Sequence, residues 1–327
     1  MKREPTMTRR WIVGAAVGMV LLLAVPSAPR AQLRTVKVAC TSKVVLDNLP
    51  LFVGMRMKFF EEAGIKLEPS YFRGGGEVVR AITTHSVDLG ATPSAAAVLI
   101  AAAKGEPIKI VSGSAAPLTG VVWLVLPDSP LKTVKDMKGK KVGFSSPGSV
   151  TQTVILAVLR EEGLEKDVQL VRVGSPGDSW AAVKNRVVDA GWHVSPAFYA
   201  LILSKEARVL FDSTPYVKHY QQTVVVAMED VIRKEPEMIR AFLKARARAV
   251  KFIWENPEPT AQIWAEEVQI PLEAARLAYR DLPRGYYETG APKEENLKGA
   301  LQEVMEAGAV KQPLDLQKLI DLRFLPR

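Results

Sequence analysis

Residues 77–95 (EVVRAITTHSVDLGATPSA) and 178–196 (DSWAAVKNRVVDAGWHVSP) follow one pattern. At a constant offset of 101 residues, Asp88 falls on Asp189, Gly90 on Gly191 and Ser94 on Ser195. Each copy reads as a helix-compatible stretch, then Val-Asp-x-Gly, then a Ser/Pro-marked start of another helix. Upstream, Phe60–Ile65 (FEEAGI) resembles Arg160–Leu164 (REEGL). A chain that carries one α/β unit twice is constrained to fold as two similar lobes. The space between two such lobes is a natural place to hold a small molecule. Two copies are too few for a solenoid, which needs at least three to bury its faces.

At 327 residues the chain can bury a core in each of two lobes. It is 48% hydrophobic and 24% charged, which excludes a disordered chain. The formal charge is +9, but Lys2, Arg3, Arg9, Arg10 and Arg30 against Glu4 place +4 of it in the first 31 residues. The remaining +5 is spread out, and no basic run is interleaved with aromatics. Nucleic acid is therefore not an expected partner.

The basic N-terminus leads into an apolar run from Trp11 to Val25, broken by Pro26. Fifteen residues are too short for a comfortable membrane span, and the run ends in small residues, as a cleavable export signal does. Residues 1–31 are therefore expected to be a signal peptide, cut near Ala28 or Ala31. Thr8–Val13 (TRRWIV) also resembles a twin-arginine signal. The single cysteine, Cys40, excludes an internal disulfide. It follows an alternating strand-like stretch and reads as a buried core thiol rather than a nucleophile or lipid anchor.

Along the chain, strands are expected at 36–39, 65–72, 87–90 and 108–111. Helices are expected at 51–63, after Gly74-Gly75-Gly76 through Thr84, and from Pro93. The βαβαβαβ order implies parallel strands with helical crossovers. Residues 120–126 (GVVWLVL) and 223–227 (TVVVA) are uninterrupted apolar runs, the pattern of strands buried on both faces. They bracket a second αβ series that begins at Lys141–Phe144 and ends at Val209–Phe211. The expectation is that they pair as crossover strands. One lobe would then comprise 33–120 plus 224–327, and the other 121–223, hinged on the two strands. After 227 the chain reads as helices at 235–255, 259–267, 271–280, 294–307 and 316–322.

The order and spacing of several segments resemble one family. They are Phe59–Leu67 (FFEEAGIKL), Val87–Gly90 (VDLG), Asp128–Gly143 (DSPLKTVKDMKGKKVG), Val188–Gly191 (VDAG), Glu235–Lys244 (EPEMIRAFLK) and Leu316–Leu325 (LQKLIDLRFL). Across nearly the whole chain beyond the leader, the sequence is similar to periplasmic substrate-binding proteins of ABC transporters, in the nitrate, sulfonate, taurine and thiamine-precursor group. His85-Ser86 departs from the small residue and Gly usual at that turn. The resemblance implies an α/β, type II two-lobe periplasmic-binding-protein-like fold and a ligand in the cleft. It also implies delivery of that ligand to a membrane permease by an exported, periplasmic protein, expected to be a monomer.

Ligands of open α/β sheets sit beyond the carboxyl ends of strands, where the amides of following helices point outward. Four segments qualify. Arg73-Gly74-Gly75-Gly76 follows a strand and opens a helix. Its glycines admit close backbone approach, and Arg73 either pairs with an acid group or is a solvated surface residue. Thr92 and Ser94 offer hydroxyls at a helix cap. Ser145, Ser146, Gly148 and Ser149 form a small-residue turn leading into a helix over 150–162, an anion-accepting arrangement. Trp192, His193 and Ser195 follow the second Val-Asp-x-Gly, with an indole face, an imidazole and a hydroxyl. Tyr216 is a further candidate. Asp88 and Asp189 look like a carboxylate pair but read as structural acceptors of backbone N–H bonds.

Enzyme readings have little support. The three histidines have no metal-ligand spacing, and there is no Gly-x-Ser-x-Gly or phosphate-loop lysine. No metal or cofactor is expected. The same fold occurs in menaquinone-pathway dehydratases and pyrimidine synthases, so a catalytic member is the alternative, as is an extracytoplasmic sensor. The cysteine-rich motif of the synthases is absent, and an export leader argues against cytosolic biosynthesis.

Overall fold

The strands in chain order are β1 (Arg34–Thr41), β2 (Ile65–Phe72), β3 (Leu89–Gly90), β4 (Ile108–Ala115) and β5 (Val121–Val125). They continue with β6 (Lys141–Phe144), β7 (Gln169–Arg172), β8 (Gly191–Val194), β9 (Arg208–Asp212) and β10 (Thr223–Met228). The helices are α1 (Leu49–Arg56), α2 (Phe59–Glu62), α3 (Gly75–Thr83), α4 (Ala95–Ala103), α5 (Val150–Glu161), α6 (Pro176–Lys184) and α7 (Ala197–Leu203). Then follow α8 (Glu229–Lys234), α9 (Pro236–Glu255), α10 (Pro257–Val268), α11 (Leu272–Arg280), α12 (Glu294–Glu306) and α13 (Leu316–Leu319). This computed structural model describes Met1 and residues 32–326. The expected signal peptide therefore lies, apart from Met1, outside the described residues. Among the described residues no helix is long and apolar enough to cross a membrane.

The sequence repeat is a structural repeat. The first sheet has the order β2-β1-β3-β10-β4. A second sheet, β8-β5-β9, is joined to the β6-β7 pair by a parallel bridge between Val142 and Ala190. Its full order is thus β7-β6-β8-β5-β9, the same arrangement. In both sheets the outer strands pair in parallel, β1 with β2 from Arg34↔Ile65 and β6 with β7 from Lys141↔Gln169. In both, one strand enters antiparallel between the third and fourth of the unit.

That inserted strand is where the sequence reading needs correction. The two apolar runs do not pair with each other. β5 lies between β8 and β9 in the second sheet, and β10 lies between β3 and β4 in the first. Each leaves its own αβ unit and completes the sheet of the other unit. The physical reason is that a central strand needs two partners and burial on both faces. Every residue of β5 and of β10 is buried. A strand paired only with its fellow crossover, outside both sheets, would lack those partners.

Asp88 and Asp189 hold matching positions. The Asp88 carboxylate accepts from the Lys37 backbone N–H at 2.8 Å, and Asp189 from that of Lys141 at 2.9 Å. Each ties the turn before β3 or β8 to the neighbouring strand. Cys40 is buried in β1, where desolvation pushes its thiol up to about 12; it is a core residue.

Helix 51–63 of the sequence reading is two helices. The chain breaks at Lys58, which has φ 58°. The break lets Phe60 fold back over Gly54, where a Cβ would overlap the ring. Phe60 stacks on Phe242 of α9 with centroids 5.6 Å apart and is 1% exposed. Fully burying such a side chain contributes about 1.5–3 kcal/mol, enough to outweigh one left-handed residue. The helix expected from Pro93 starts at Ala95, because Ser94 is the cap that accepts from the Ala97 N–H at 3.2 Å.

Candidate functional site

A small cavity lies where the carboxyl ends of strands from the two sheets face each other. Its free volume is about 60 Å3, far below the roughly 300–1,000 Å3 of pockets that take drug-sized ligands. The first sheet supplies Thr41 after β1, the Arg73–Gly75 turn after β2, Ser94 before α4 and Thr223 at the start of β10. The second supplies Val121, Ser145, Ser149, Thr151, Trp192 and Val194.

Three helices begin at this cavity: α3 at Gly75, α4 behind its Ser94 cap, and α5 behind Ser149, whose hydroxyl accepts from the Gln152 N–H at 3.3 Å. The first turn of each carries N–H groups with no partner inside the helix, and the aligned peptide dipoles make these ends favourable for negative charge. Thr151 organises the α5 start. Its hydroxyl takes the Ser145 N–H at 2.9 Å and lies 2.8 Å from the Ser145 hydroxyl and 3.0 Å from that of Ser149.

The glycines are here because two loops meet. A Cβ on Gly74 would overlap the Ser146 hydroxyl, and one on Gly75 would overlap that of Ser94. Gly76 approaches the Pro147 carbonyl and, with Gly148, lines a neighbouring groove instead of the cavity. Ser146 is buried beneath this contact, its hydroxyl without a partner among the described residues. Arg73 is exposed beside the cavity, and its backbone N–H is held by Glu77 at 3.2 Å.

The remaining predicted residues separate by strand alternation and distance. Trp192 and Val194 face the cavity. His193, between them, does not line it, since side chains alternate across a strand. Burial holds the His193 imidazole down to about 4, so it is neutral near pH 7. Ser195 is buried with its backbone N–H on the Gly120 carbonyl at 2.8 Å. Thr92 lies behind the wall, donating to Asn48 Oδ1 at 3.0 Å and accepting from the Thr41 N–H at 3.1 Å; it positions Thr41. The Tyr216 hydroxyl donates to Glu162 at 3.1 Å, at the far end of α5, about 18 Å along a helix of that length. The Trp192 indole N–H, buried in the wall, has no acceptor among the described residues.

Sequence reasoning missed Asp47, Thr41, Thr151, Gln222 and Thr223. The one local signal was an acid inside an apolar stretch, Val44–Leu51 (VVLDNLPL). Asp47 is 4% exposed. Its carboxylate accepts from the Tyr286 hydroxyl at 2.6 Å, Gln222 Nε2 at 3.3 Å and the Thr223 hydroxyl at 3.4 Å. Desolvation pushes its carboxyl above the usual range, and these donors oppose that. A second buried network braces the same strand ends. Arg246 of α9, 2% exposed, donates to the Ser114 carbonyl at 2.7 Å and to the Glu288 carbonyl, while Gln221 Nε2 bonds the Ala115 carbonyl at 3.2 Å.

Known proteins share this architecture. The alkanesulfonate-binding protein SsuA from Xanthomonas axonopodis pv. citri, solved bound to MOPS, superposes with a TM-score of 0.77 at 19% identity, covering 89% of this chain and 99% of that one. Among sequence relatives, the taurine-binding periplasmic protein of Escherichia coli (strain K12) is 28% identical over 226 residues, 67% of this chain and 66% of the relative. Another from the same strain, with the provisional name aliphatic sulfonates-binding protein, is 34% identical over 144 residues, 44% of each chain. The chain thus spans less than two thirds of the length of either relative. The NMT1/THI5-like family profile matches residues 46–260, a stretch that starts at the 3-10 helix carrying Asp47 and holds every cavity residue except Thr41, Ser42 and Val45. By that match, with the fold to support it, the chain belongs to the NMT1/THI5-like family.

Proposed function

We propose that this protein is an exported solute receptor that closes on one small acid-bearing molecule and hands it to the permease of an ABC importer. The observation that carries the reading is the convergence of three helix starts and one unpartnered indole N–H on a single cavity between two matching sheets. An acid group there would accept from amides already oriented toward it, with no reorganisation on binding. The proteins described above are binding proteins by name, two sequence relatives sulfonate- or taurine-directed and one structure alkanesulfonate-directed. The receptor acts in the periplasm as a monomer.

In this reading residues 33–120 plus 224–327 move as one lobe and 121–223 as the other. The chain crosses between them twice, before β5 and before β10, and a few torsions at those crossings rotate one sheet against the other. Two features support reading the arrangement as a closed one. Glu77 of α3 pairs with Arg172 of β7 at 3.5 Å, joining the two sheets' elements. With about 60 Å3 free, a ligand enters only when the lobes part.

A thermal-denaturation screen of sulfonates, aromatic carboxylates, pyrimidines and inorganic oxyanions tests the reading. A ligand at 100 times its dissociation constant adds about 2.7 kcal/mol to stability, a shift of several degrees. Stabilisation by acid-bearing compounds alone supports it. Stabilisation by neutral compounds alone, or turnover of any compound in the screen, overturns it.

A further inference from the structure

The cavity that receives an acid group in the reading above also holds an acid of its own. Asp47 lines it together with Gln222 and Thr223. The groups bonded to its carboxylate, from Tyr286, Gln222, Thr223 and its own backbone N–H, are neutral donors. No Lys, Arg or His among the described residues forms an ion pair with it. Arg246 lies within its field, but that guanidinium is engaged by the Ser114 and Glu288 carbonyls and the Ser114 hydroxyl. Of the other ionisable groups here, Tyr286, Tyr287 and Glu288 bring no positive charge, and Arg73, the cation that lines the cavity, is exposed and forms no ion pair with Asp47. A buried carboxylate without a cation is costly, and neutral donors offset only part of the cost.

This has a consequence for the ligand. A simple anion seated at the three helix starts would share about 60 Å3 with the Asp47 carboxylate, and like charges at that range oppose each other. A molecule that carries a protonated nitrogen beside its acid group removes both problems. Its acid meets the helix starts and Arg73, and its cation supplies what Asp47 lacks. We infer that Asp47 is the specificity-determining residue of this cavity and selects zwitterionic acids, those bearing an ammonium close to the acid group, over simple anions. The inference rests on the reading that an acid-bearing ligand occupies the cavity.

Calorimetric titration of the full-length exported protein with two matched pairs tests it: taurine against ethanesulfonate, and β-alanine against propionate. The expected result is that, in at least one pair, the amino-bearing member binds tenfold or more tighter. In Asp47→Asn the same amino-bearing probe binds more weakly and its partner more tightly, so that the preference falls to threefold or less. Asp47→Ser repeats the comparison in case the amide disturbs the Tyr286 and Gln222 donors, and melting temperatures confirm that each variant is folded. The wild-type ratios alone can overturn the inference. Equal binding of both members of each pair sinks it while leaving the acid-binding reading intact, and so does a preference that survives in folded variants. If none of the four probes binds, while neutral compounds do, the underlying reading fails and this inference with it.

Discussion

His193 and Trp192 are neighbours in sequence with opposite duties, and the difference is set by one step of strand alternation. Trp192 enters the cavity wall and His193 the packed face behind it. Because burial depresses the imidazole to about 4, the unfolded chain binds a proton near 6.5 that the folded one refuses. Stability carried by neutral His193 is therefore complete above about pH 6.5 and lost as pH falls toward about 4. The depression corresponds to about 3 kcal/mol. Urea unfolding of wild type and His193→Asn at pH 7 and pH 4.5 should show a smaller acid loss in the variant. An identical loss would mean that His193 is solvated. Trp192→Ala should weaken the ligand by about 1 kcal/mol or more through loss of the indole face and its N–H, with calorimetry as the check. The turn that departs from the family pattern, at His85, forms all the same. His85 has φ 55° and its equivalent Arg186 φ 58°, so the two copies keep one turn geometry with non-glycine residues, a region that histidine tolerates better than most.

At the scale of elements, close approach decides more than propensity. Gly54 of α1 exists so that Phe60 can return over it. Because Phe60 is pinned on Phe242, Gly54→Ala should cost about 1–3 kcal/mol, read as a lower urea midpoint with an unchanged slope. The same logic applies to Gly299 in α12, where a Cβ would run into the His219 carbonyl. Near the site, Gly75→Ala should push α3 away from Ser94 and weaken the ligand more than it lowers stability. A variant that loses stability but keeps its affinity would argue that α3 does not form part of the binding wall.

The whole molecule is two copies of one sheet, each completed by a strand from the other unit. Side-chain contacts join elements of the two units. Arg160 of α5 reaches Glu303 and Glu306 of α12 at 2.8 and 2.7 Å, and the Tyr199 hydroxyl donates to Asp281 at 2.6 Å. Partly exposed pairs of this kind contribute about 0.2–1 kcal/mol each. If they favour the closed form by that much, Arg160→Ala lowers ligand affinity by a few-fold at most, because affinity falls with the fraction of closed molecules. Small-angle scattering should show a larger radius of gyration for the ligand-free variant than for ligand-free wild type. Equal radii would remove Arg160 from the closing contacts.

The sequence by itself determined the repeat, most of the strand and helix order, the structural role of Asp88 and Asp189, and several of the strand ends that line the cavity. These are local properties: alternation, helix periodicity and turn residues act over a few positions and are written in neighbouring letters. Arg73, Gly75, Ser94, Ser145, Ser149 and Trp192 were legible as cavity residues for that reason, since each sits at the end of a readable strand or the start of a readable helix. Only the tertiary structure decided which strand completes which sheet, because two apolar runs look alike until their neighbours are known. It also placed Asp47, Gln222 and Thr223 in one wall, bringing together residues 175 and 176 positions apart. No local pattern encodes such a meeting; it is set by where β10 crosses into the first sheet, and so the charge inside the cavity was settled by the topology of the chain.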